Sequence, residues 1–294
     1  MTALPLRSRT RRRLRRMAGD AAAALLGVVL LIWSLAPVYN MLLIALDQEG
    51  DNEFAGDIWP PEPSLDSFRA VWSQGHWYLE RIWSQFGNSL YVGLLTMALT
   101  VLIASLASFA AGRMRLGKAR MLTSAALFTY VLPSSFLAIP FVRVAQSYGL
   151  SDSLWAVIAA DVTFATPFAV LILQQYAKLL PTELDEAARI DGASPARIYW
   201  HIYLPLMAPG LAAVGTYALL LAWGEYLYQY MLLSSTRNWT VAVALEQFWD
   251  SDEAPWNYMM ALAIVYALPP IAVFFALRRY LAAAVGLGGV RRKQ

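Results

Sequence analysis

Residues 185–205 read DEAARIDGASPARIYWHIYLP. A long apolar run lies on each side, so the reading of this polar stretch decides how the chain is organised. Its local signals point to two short helices with a bend between them. Pro181 and Thr182 open the first, and Glu183, Asp185 and Glu186 sit in its first turns, where acidic groups favour the helix dipole. Gly192 stands where a residue in the left-handed conformation ends a helix. Ser194 is the cap of the second helix and Pro195 its first residue. Pro205 is expected to end the pattern. Ala187 and Ala188 leave a shallow surface on which another protein could sit closely. An ordinary amphipathic connector is the plainer reading, and periodicity names no partner.

Working outward, six apolar runs of membrane length appear: Ala21–Leu46, Asn88–Ala111, Met121–Val142, Leu154–Tyr176, Leu206–Leu233 and Tyr258–Leu277. About twenty apolar residues cross a bilayer core as a helix. In lipid such a run is helical, because every backbone polar group must be satisfied internally. The first run has 26 residues, about 39 Å of helix. That exceeds the apolar part of a cleaved signal peptide, so it reads as a retained span.

Six spans put both termini on one side, and charge chooses the side. Nineteen of the 23 Lys and Arg residues fall on the side of the termini and of residues 177–205; Arg69, Arg81, Arg143 and Arg237 fall on the other. Positive residues concentrate on the cytoplasmic side, so both termini and the polar stretch are expected there. The resulting plan is a basic N-terminus (1–20), a first membrane helix (21–46) and an outer segment (47–85). A transmembrane core (86–281) follows, containing the polar loop 177–205, and then a tail (282–294). The basic opening RSRTRRRLRRMAGD reads as a cytoplasmic anchor beside a membrane helix. Nucleic-acid binding is the rival reading of such a run, and no nucleic-acid partner is expected. In the outer segment, Trp72, Trp77, Tyr78 and Trp83 suit a helix lying at the membrane interface. A contact surface for an external partner is the alternative, and the two are compatible.

Composition excludes several chemistries. The chain is 59% hydrophobic and 15% charged, far from the balance of a soluble domain. It has no cysteine and only two histidines, His76 and His201. Thiol catalysis, disulfides and thiolate metal sites are therefore excluded. No metal, cofactor or catalytic residue is expected, and an intramembrane enzyme is hard to build from these residues. No GxxxxGK[ST] phosphate loop is present, so the chain is not itself an ATPase.

Glu186-Ala187-Ala188, three residues, Gly192, nine residues, Ile202, one residue, Leu204-Pro205 is a spacing that resembles the EAA motif of ABC importer permeases. The longer string LPTELDEAARIDGASP looks like the carbohydrate-uptake branch. FGNSLYVGLLT, IPFVRVAQSYGLSDSLWAVI and LLAWGEYLYQYMLL agree with it. The tail AAAVGLGGVRRKQ is similar to that of the maltose-type G subunit. The likeness runs from about residue 86 to the end. Gly224 departs from it, standing where many relatives carry Asn, and ALEQFWDSDEAPWNY follows no close family pattern.

The resemblance implies an all-α, polytopic fold with six transmembrane helices. It implies one of two unlike permease subunits in the cytoplasmic membrane of a prokaryote, importing a sugar. Partners would be the second permease, a cytoplasmic ATPase dimer and an extracytoplasmic substrate-binding protein. In this family the EAA loop, here Glu186, Ala187, Ala188, Asp191, Gly192, Ala193 and Ser194, sits in a cleft of the ATPase, whose closure moves the spans. The glycine-rich tail, read as flexible and cationic, would bring Gly286, Gly288 and Gly289 near the ATPase interface; a plain basic end is the alternative.

Ionisable groups at membrane depth are costly, about 3 kcal/mol, and tend to line cavities. Asp161 stands in span four with Thr163 and Thr166. Glu225 and Gln229 stand four apart in span five, with Tyr226 and Tyr230 beside them, and are expected to share one helix face. Carboxylates, an amide and aromatic faces suit a polyhydroxy solute; helix packing is the other role open to them. Pro133, Pro140, Pro167, Pro269 and Pro270 are expected to kink or unwind spans three, four and six. Permeases for glycerol phosphate, polyamine or peptide are rival readings. A phosphate-bearing solute would favour cationic groups in the path, whereas these are acidic. A structural or signalling membrane protein is a further rival, for which the EAA spacing would be coincidence.

Overall fold

The computed structural model describes residues 6–47, 58–113, 128, 133–249 and 254–289, and every regular element among them is helical. In chain order these are α1 (Leu6–Leu46), α2 (Asp66–Ser73), α3 (Ile82–Arg113), α4 (Ser134–Ser147), α5 (Leu154–Ala177), α6 (Glu183–Ile190), α7 (Pro195–Ile198), α8 (Leu204–Gly224), α9 (Leu227–Leu232), α10 (Val241–Glu246) and α11 (Trp256–Gly289). Short 3₁₀ turns span Trp77–Leu79 and Gln247–Trp249, and a π turn, Tyr199–Tyr203, joins α7 to α8.

Five helices among the described residues are long and apolar enough to cross a membrane: Met17–Leu46, Trp77–Arg113, Leu154–Ala177, Pro195–Gly224 and Trp256–Tyr280. Half of the third expected run, Met121–Val142, lies outside the described residues; α4 takes up its end. α1 begins at Leu6, so the basic opening is helical and continuous with the span. The expected flexible tail is helical as far as Gly289, carried by Ala282, Ala283 and Ala284, which have the best helix propensity.

The chain forms two compact units. In one, α2 turns back on the end of α1: Ser64 donates its backbone N–H to the Leu46 carbonyl at 2.8 Å. Val71, Leu43 and Ala45 are buried there. Trp72 is exposed, as an interfacial ring requires.

The other unit is built on α3, α5 and α8. The N-terminal ends of α3 and α5 lie together, with the Tyr91 and Trp155 rings edge to face at 6.0 Å, and α8 runs back antiparallel. Lipid offers no hydrophobic drive for helices to associate, so close packing of small residues does the work. On α3 the buried stripe is Ser89, Gly93, Thr96, Thr100, Ala104 and Ser108; on α5 it is Ala156, Ala160, Ala165, Ala169 and Ala177. Gly210 of α8 lets the Tyr176 ring approach: a Cβ there would lie 3.1 Å from the ring. Tyr78 of the outer segment faces inward, stacked on Phe248 at 4.6 Å, and Trp77 is exposed.

The prolines do not unwind their helices. α4 continues through Pro140, α5 through Pro167 and α11 through Pro269 and Pro270, while Pro133 precedes α4. With no water in hydrocarbon to take up freed backbone groups, the helical path is kept.

Gly210→Leu is expected to wedge α8 from α5 and cost about 1–3 kcal/mol, read as a lower melting temperature in detergent. Gly87→Leu, where nothing lies within 4 Å of the added carbon, is expected to leave the melting temperature unchanged.

Candidate functional site

The polar stretch folds as a bent knuckle at one end of the helix bundle. α6 closes with the hydrogen bonds of a glycine-terminated helix. The Gly192 N–H donates to the Arg189 carbonyl at 3.1 Å, and the Ala193 N–H donates to the Ala188 carbonyl at 2.9 Å. Gly192 has φ +78, a conformation that glycine alone adopts without cost. Ala193 and Ala188 pack together against the core. Ser194 then caps α7, its hydroxyl accepting from the Arg197 N–H at 3.3 Å. Both turns lie where the sequence expects them. Thr182 occupies the N-cap of α6 but makes no side-chain capping bond.

Pro205 does not end the second helix. The chain runs from Pro195 through the π turn into α8 and on to Gly224. In the π turn the Leu204 N–H reaches back five residues to the Tyr199 carbonyl. This wider turn relieves the clash of a proline ring with the carbonyl four residues before it. The exit arm of the knuckle is therefore the start of a membrane-length helix.

The end of α3 ties the knuckle to the bundle. Asp185, expected only to serve the helix dipole, is buried against Arg113, with Arg113 Nη1 and Asp185 Oδ2 2.9 Å apart and the two side chains 5% and 6% exposed. The approach is off hydrogen-bond geometry, and Arg113 Nε has no acceptor, so the attraction is Coulombic. Arg113 also donates to the Pro181 and Leu180 carbonyls at 3.4 and 3.5 Å. Arg189 returns a bond to the Arg113 carbonyl at 2.8 Å, satisfying one of the orphan acceptors at the end of α3. Above this, the Ser105 and Tyr199 hydroxyls meet at 2.7 Å, and Tyr203 donates to Ser108 at 2.9 Å. Phe109 sits edge to face between the two tyrosine rings.

What remains outside is a continuous face. Glu186, Ala187, Asp191, Gly192 and Ser194 are exposed, as is Leu184, and Ile190 is 87% exposed. Of the residues singled out from the sequence, Ala188 and Ala193 instead turn partly inward.

In the half of the bundle away from the knuckle, the apolar run expected to continue to Leu233 breaks. α8 stops at Gly224, Glu225 is extended (φ −74, ψ 130) and α9 starts at Leu227. Glu225 and Gln229 therefore do not share a helix face. The Glu225 carboxylate caps α9 instead, accepting from the Tyr228 N–H at 2.8 Å and the Gln229 N–H at 3.1 Å. The freed carbonyls of α8 also find donors. Gln229 Nε2 bonds Ala222 at 3.0 Å, and the Tyr266 hydroxyl bonds Trp223 at 2.7 Å. Gln229 Oε1 accepts from the Thr240 hydroxyl. Tyr226 and Tyr230 keep their expected proximity, with ring centroids 5.4 Å apart.

Asp161 is 1% exposed, and neither carboxyl oxygen has a hydrogen-bond partner among the described residues. Thr163 and Thr166 do not join it: their hydroxyls return to the Ala159 and Val162 carbonyls of the same helix, and Thr163 is exposed.

Past α9, residues 233–240 are held by Asp152, which the sequence did not single out. Its carboxylate accepts from the Ser234 and Ser235 N–H groups at 2.8 and 3.0 Å and from Asn238 Nδ2 at 3.1 Å. Asn88 grips the same segment through the Arg237 and Trp239 carbonyls. Burial raises the Asp152 pKa, but the bonds from Ser235, Ser234 and Asn238 outweigh it and hold the carboxyl below its ordinary value of 3.8. The folded carboxyl thus binds its proton more weakly than the unfolded one. Its contribution to stability is complete above the ordinary value and fades as pH falls through the lower folded value. The protection of the amides of residues 233–240, taken relative to their intrinsic exchange rate at each pH, is expected to stay constant from neutral pH down to about 4 and to fall below that. Asp152→Ala is expected to show the reduced protection already at neutral pH.

Comparison with known proteins bears on this arrangement. Residues 103–286 match the family described as binding-protein-dependent transport system inner membrane component. The inner membrane ABC transporter permease protein YcjP of Escherichia coli is 32% identical over 207 residues, covering 70% of this chain and 74% of that one. The trehalose transport system permease protein SugB of Mycobacterium tuberculosis is 28% identical, covering 91% and 96%. A crystal structure of a bacterial ABC transporter involved in the import of the acidic polysaccharide alginate superposes with a TM-score of 0.77. It is 19% identical and covers 95% of this chain and 100% of that one. A structure of the alginate transporter in complex with an alginate pentasaccharide-bound periplasmic protein gives 0.62 at 13% identity, covering 90% and 94%.

Proposed function

The chain belongs to the family of binding-protein-dependent transport system inner membrane components, and from that premise we infer that it is a permease subunit importing a sugar, driven by ATP hydrolysis on a separate subunit. The observation that carries the reading is the knuckle. A polar, glycine-bent element is fastened to three membrane helices on one side and leaves Glu186, Ala187, Ile190 and Gly192 open on the other. An element that only connected two spans would need neither the buried ion pair nor the open face.

In this reading an ATPase dimer receives the open face on the cytoplasmic side. The nineteen-to-four distribution of Lys and Arg supports that orientation for the knuckle and for both termini. Closure of the dimer displaces α6, and the exit arm transmits the displacement into α8 without a joint, because Pro195–Gly224 is one continuous helix. The tail glycines Gly286, Gly288 and Gly289 would approach the ATPase at the end of α11.

The solute path would run past the break at Gly224–Tyr226. Irregular backbone at membrane depth is tolerated where it is buried in protein or lines a water-filled cavity, and discontinuous helices mark solute sites in other transporters. Asp161 and Glu225 supply acids and Tyr226 an aromatic face there; Gln229, its amide taken up by Ala222 and Thr240, holds the break in shape, and the Thr163 hydroxyl stays bonded within α5. The sugar reading is supported by relatives such as the trehalose permease and a maltodextrin permease of Bacillus subtilis, 30% identical over 232 residues. A second, unlike permease and an extracytoplasmic binding protein complete the assembly, the latter in keeping with the complex that contains a periplasmic protein.

Gly192→Val tests the coupling role. A left-handed position costs a residue with a side chain about 1–2 kcal/mol, and every 1.4 kcal/mol is about tenfold in affinity. The variant is expected at normal abundance in the membrane, because insertion is set by the apolar spans. Its affinity for the ATPase should fall about tenfold, and uptake by the reconstituted assembly should fall with it. Full coupled uptake by Gly192→Val would leave the knuckle a mere connector.

A further inference from the structure

Fastening and drive are separate duties in the knuckle, and the residues divide accordingly. The open face carries Glu186, Ala187 and Gly192; the fastening is Arg113, Asp185 and Arg189. We propose that the Arg113–Asp185 pair is a positioning joint that converts displacement of the knuckle into displacement of α3. The pair then sets how much solute moves per ATP, while docking of the ATPase does not depend on it. The proposal rests on the functional reading above.

The argument is geometric. α6 is eight residues long and is joined to α5 through residues 178–182 and to α7 through Gly192, so its chain connections alone leave its tilt free. Two groups of Arg113 fix that tilt. Its guanidinium lies 2.9 Å from Asp185 and reaches the Pro181 and Leu180 carbonyls. Its carbonyl takes the bond from Arg189, one turn beyond Asp185 on α6. A helix held at both of these turns by a single residue moves with that residue. Arg113 is the last residue of α3, and α3 packs on both α5 and α8, so a push on α6 enters the bundle at α3 as well as along the exit arm. The ion pair is nearly dry, at 5% and 6% exposure. Burial to that degree limits the access of water to either charge while the contact slides. Slippage is costly in such a setting and a stiff joint results.

The joint is distinct from the hydroxyl contacts higher up. Ser105–Tyr199 and Ser108–Tyr203 link α3 to the exit arm, which already moves as one body with α8. The ion pair, together with the Arg189 bond to the Arg113 carbonyl, links α3 to the short helix that bears Glu186.

The test uses the full assembly in proteoliposomes, with the cognate binding protein and a radiolabelled sugar. Asp185→Glu keeps the charge with a longer arm, Asp185→Asn removes it, and the exchange Arg113→Asp with Asp185→Arg restores a pair of reversed sense. Three quantities are read: ATPase affinity for the permease, ATP hydrolysed, and sugar moved per ATP. Coupling free energies between sites correspond to about 5- to 150-fold effects. Asp185→Asn is expected to bind the ATPase as wild type does and to hydrolyse ATP, while sugar moved per ATP falls at least about fivefold. Asp185→Glu is expected to retain most of that ratio, and the exchanged pair to recover part of it. An unchanged ratio in Asp185→Asn overturns the proposal, as does a loss of ATPase affinity that parallels the loss of transport. Should Asp185→Asn fail to accumulate, the same ratio measured on Asp185→Glu and the exchanged pair decides it: equal ratios across wild type and both variants overturn the proposal. A wild-type chain that binds no ATPase would overturn the functional reading itself, a result separable from these because it appears before any variant is made.

Discussion

The buried pair of Arg113 and Asp185 is the contact on which the arrangement of the knuckle end of the bundle depends. Removing one partner of a buried ion pair costs about 3–5 kcal/mol, whereas replacing both by apolar groups is often neutral. Such a pair is therefore weak as a source of stability and strong as a constraint on geometry. Here it selects one placement of α6 among those the chain connections allow. With Asp185 turned inward to Arg113, helical spacing turns Glu186, Ala187 and Ile190 outward. Ala188 and Ala193 follow Asp185 onto the core. The pair thus fixes how α6 sits against α3, while the make-up of the open face follows from the helical spacing of Glu186, Ala187 and Ile190.

A second constraint governs the far half of the bundle. A break in a membrane helix exposes backbone donors and acceptors that lipid cannot satisfy. The break at Gly224–Tyr226 meets that demand from three directions. Glu225 caps the new helix from its own chain. Gln229 reaches back to Ala222, and Tyr266 bonds the Trp223 carbonyl while stacking on the Trp223 ring at 4.8 Å. Pro140, Pro167, Pro269 and Pro270, each of which removes a donor, are accommodated inside unbroken helices, while the interruption at Gly224–Tyr226 falls at a glycine and an acid. Capping by a carboxylate leaves Glu225 fixed in position beside Asp161, so two acidic groups are held in the same region of the bundle.

What could be read from the sequence was local. The turn at Gly192 and the cap at Ser194–Pro195 follow from residues a few positions apart, and the structure has both. The spans follow from apolar length alone, and their edges agree to within a few residues at Leu154 and Leu46. What could not be read needed partners distant in sequence. Asp185 resembles any acid at a helix start until Arg113, 72 positions earlier, is known to lie against it. Arg113 itself reads as one of the positive residues flanking a span. Asp152 lies in a short turn, and its partners Ser234, Ser235 and Asn238 are more than eighty positions away. The break at Glu225 is masked by apolar residues on both sides; the signal that was present is Gly224 followed at once by an acid, the pairing of a helix end with a cap for the next. Pro205 misled for the opposite reason. Its local meaning is a stop, and the π turn before it removes the clash on which that meaning rests.

The central claim is that the open face of the knuckle is where an ATPase docks, and hydrogen exchange on the reconstituted complex addresses it directly. Exchange of residues 183–200 would be followed in the full-length permease with and without nucleotide-free ATPase subunits. The account predicts slowed exchange centred on residues 186–194, with α4 and the segment 233–240 unchanged. A stable complex in which residues 183–200 exchange as fast as in the free permease would contradict it.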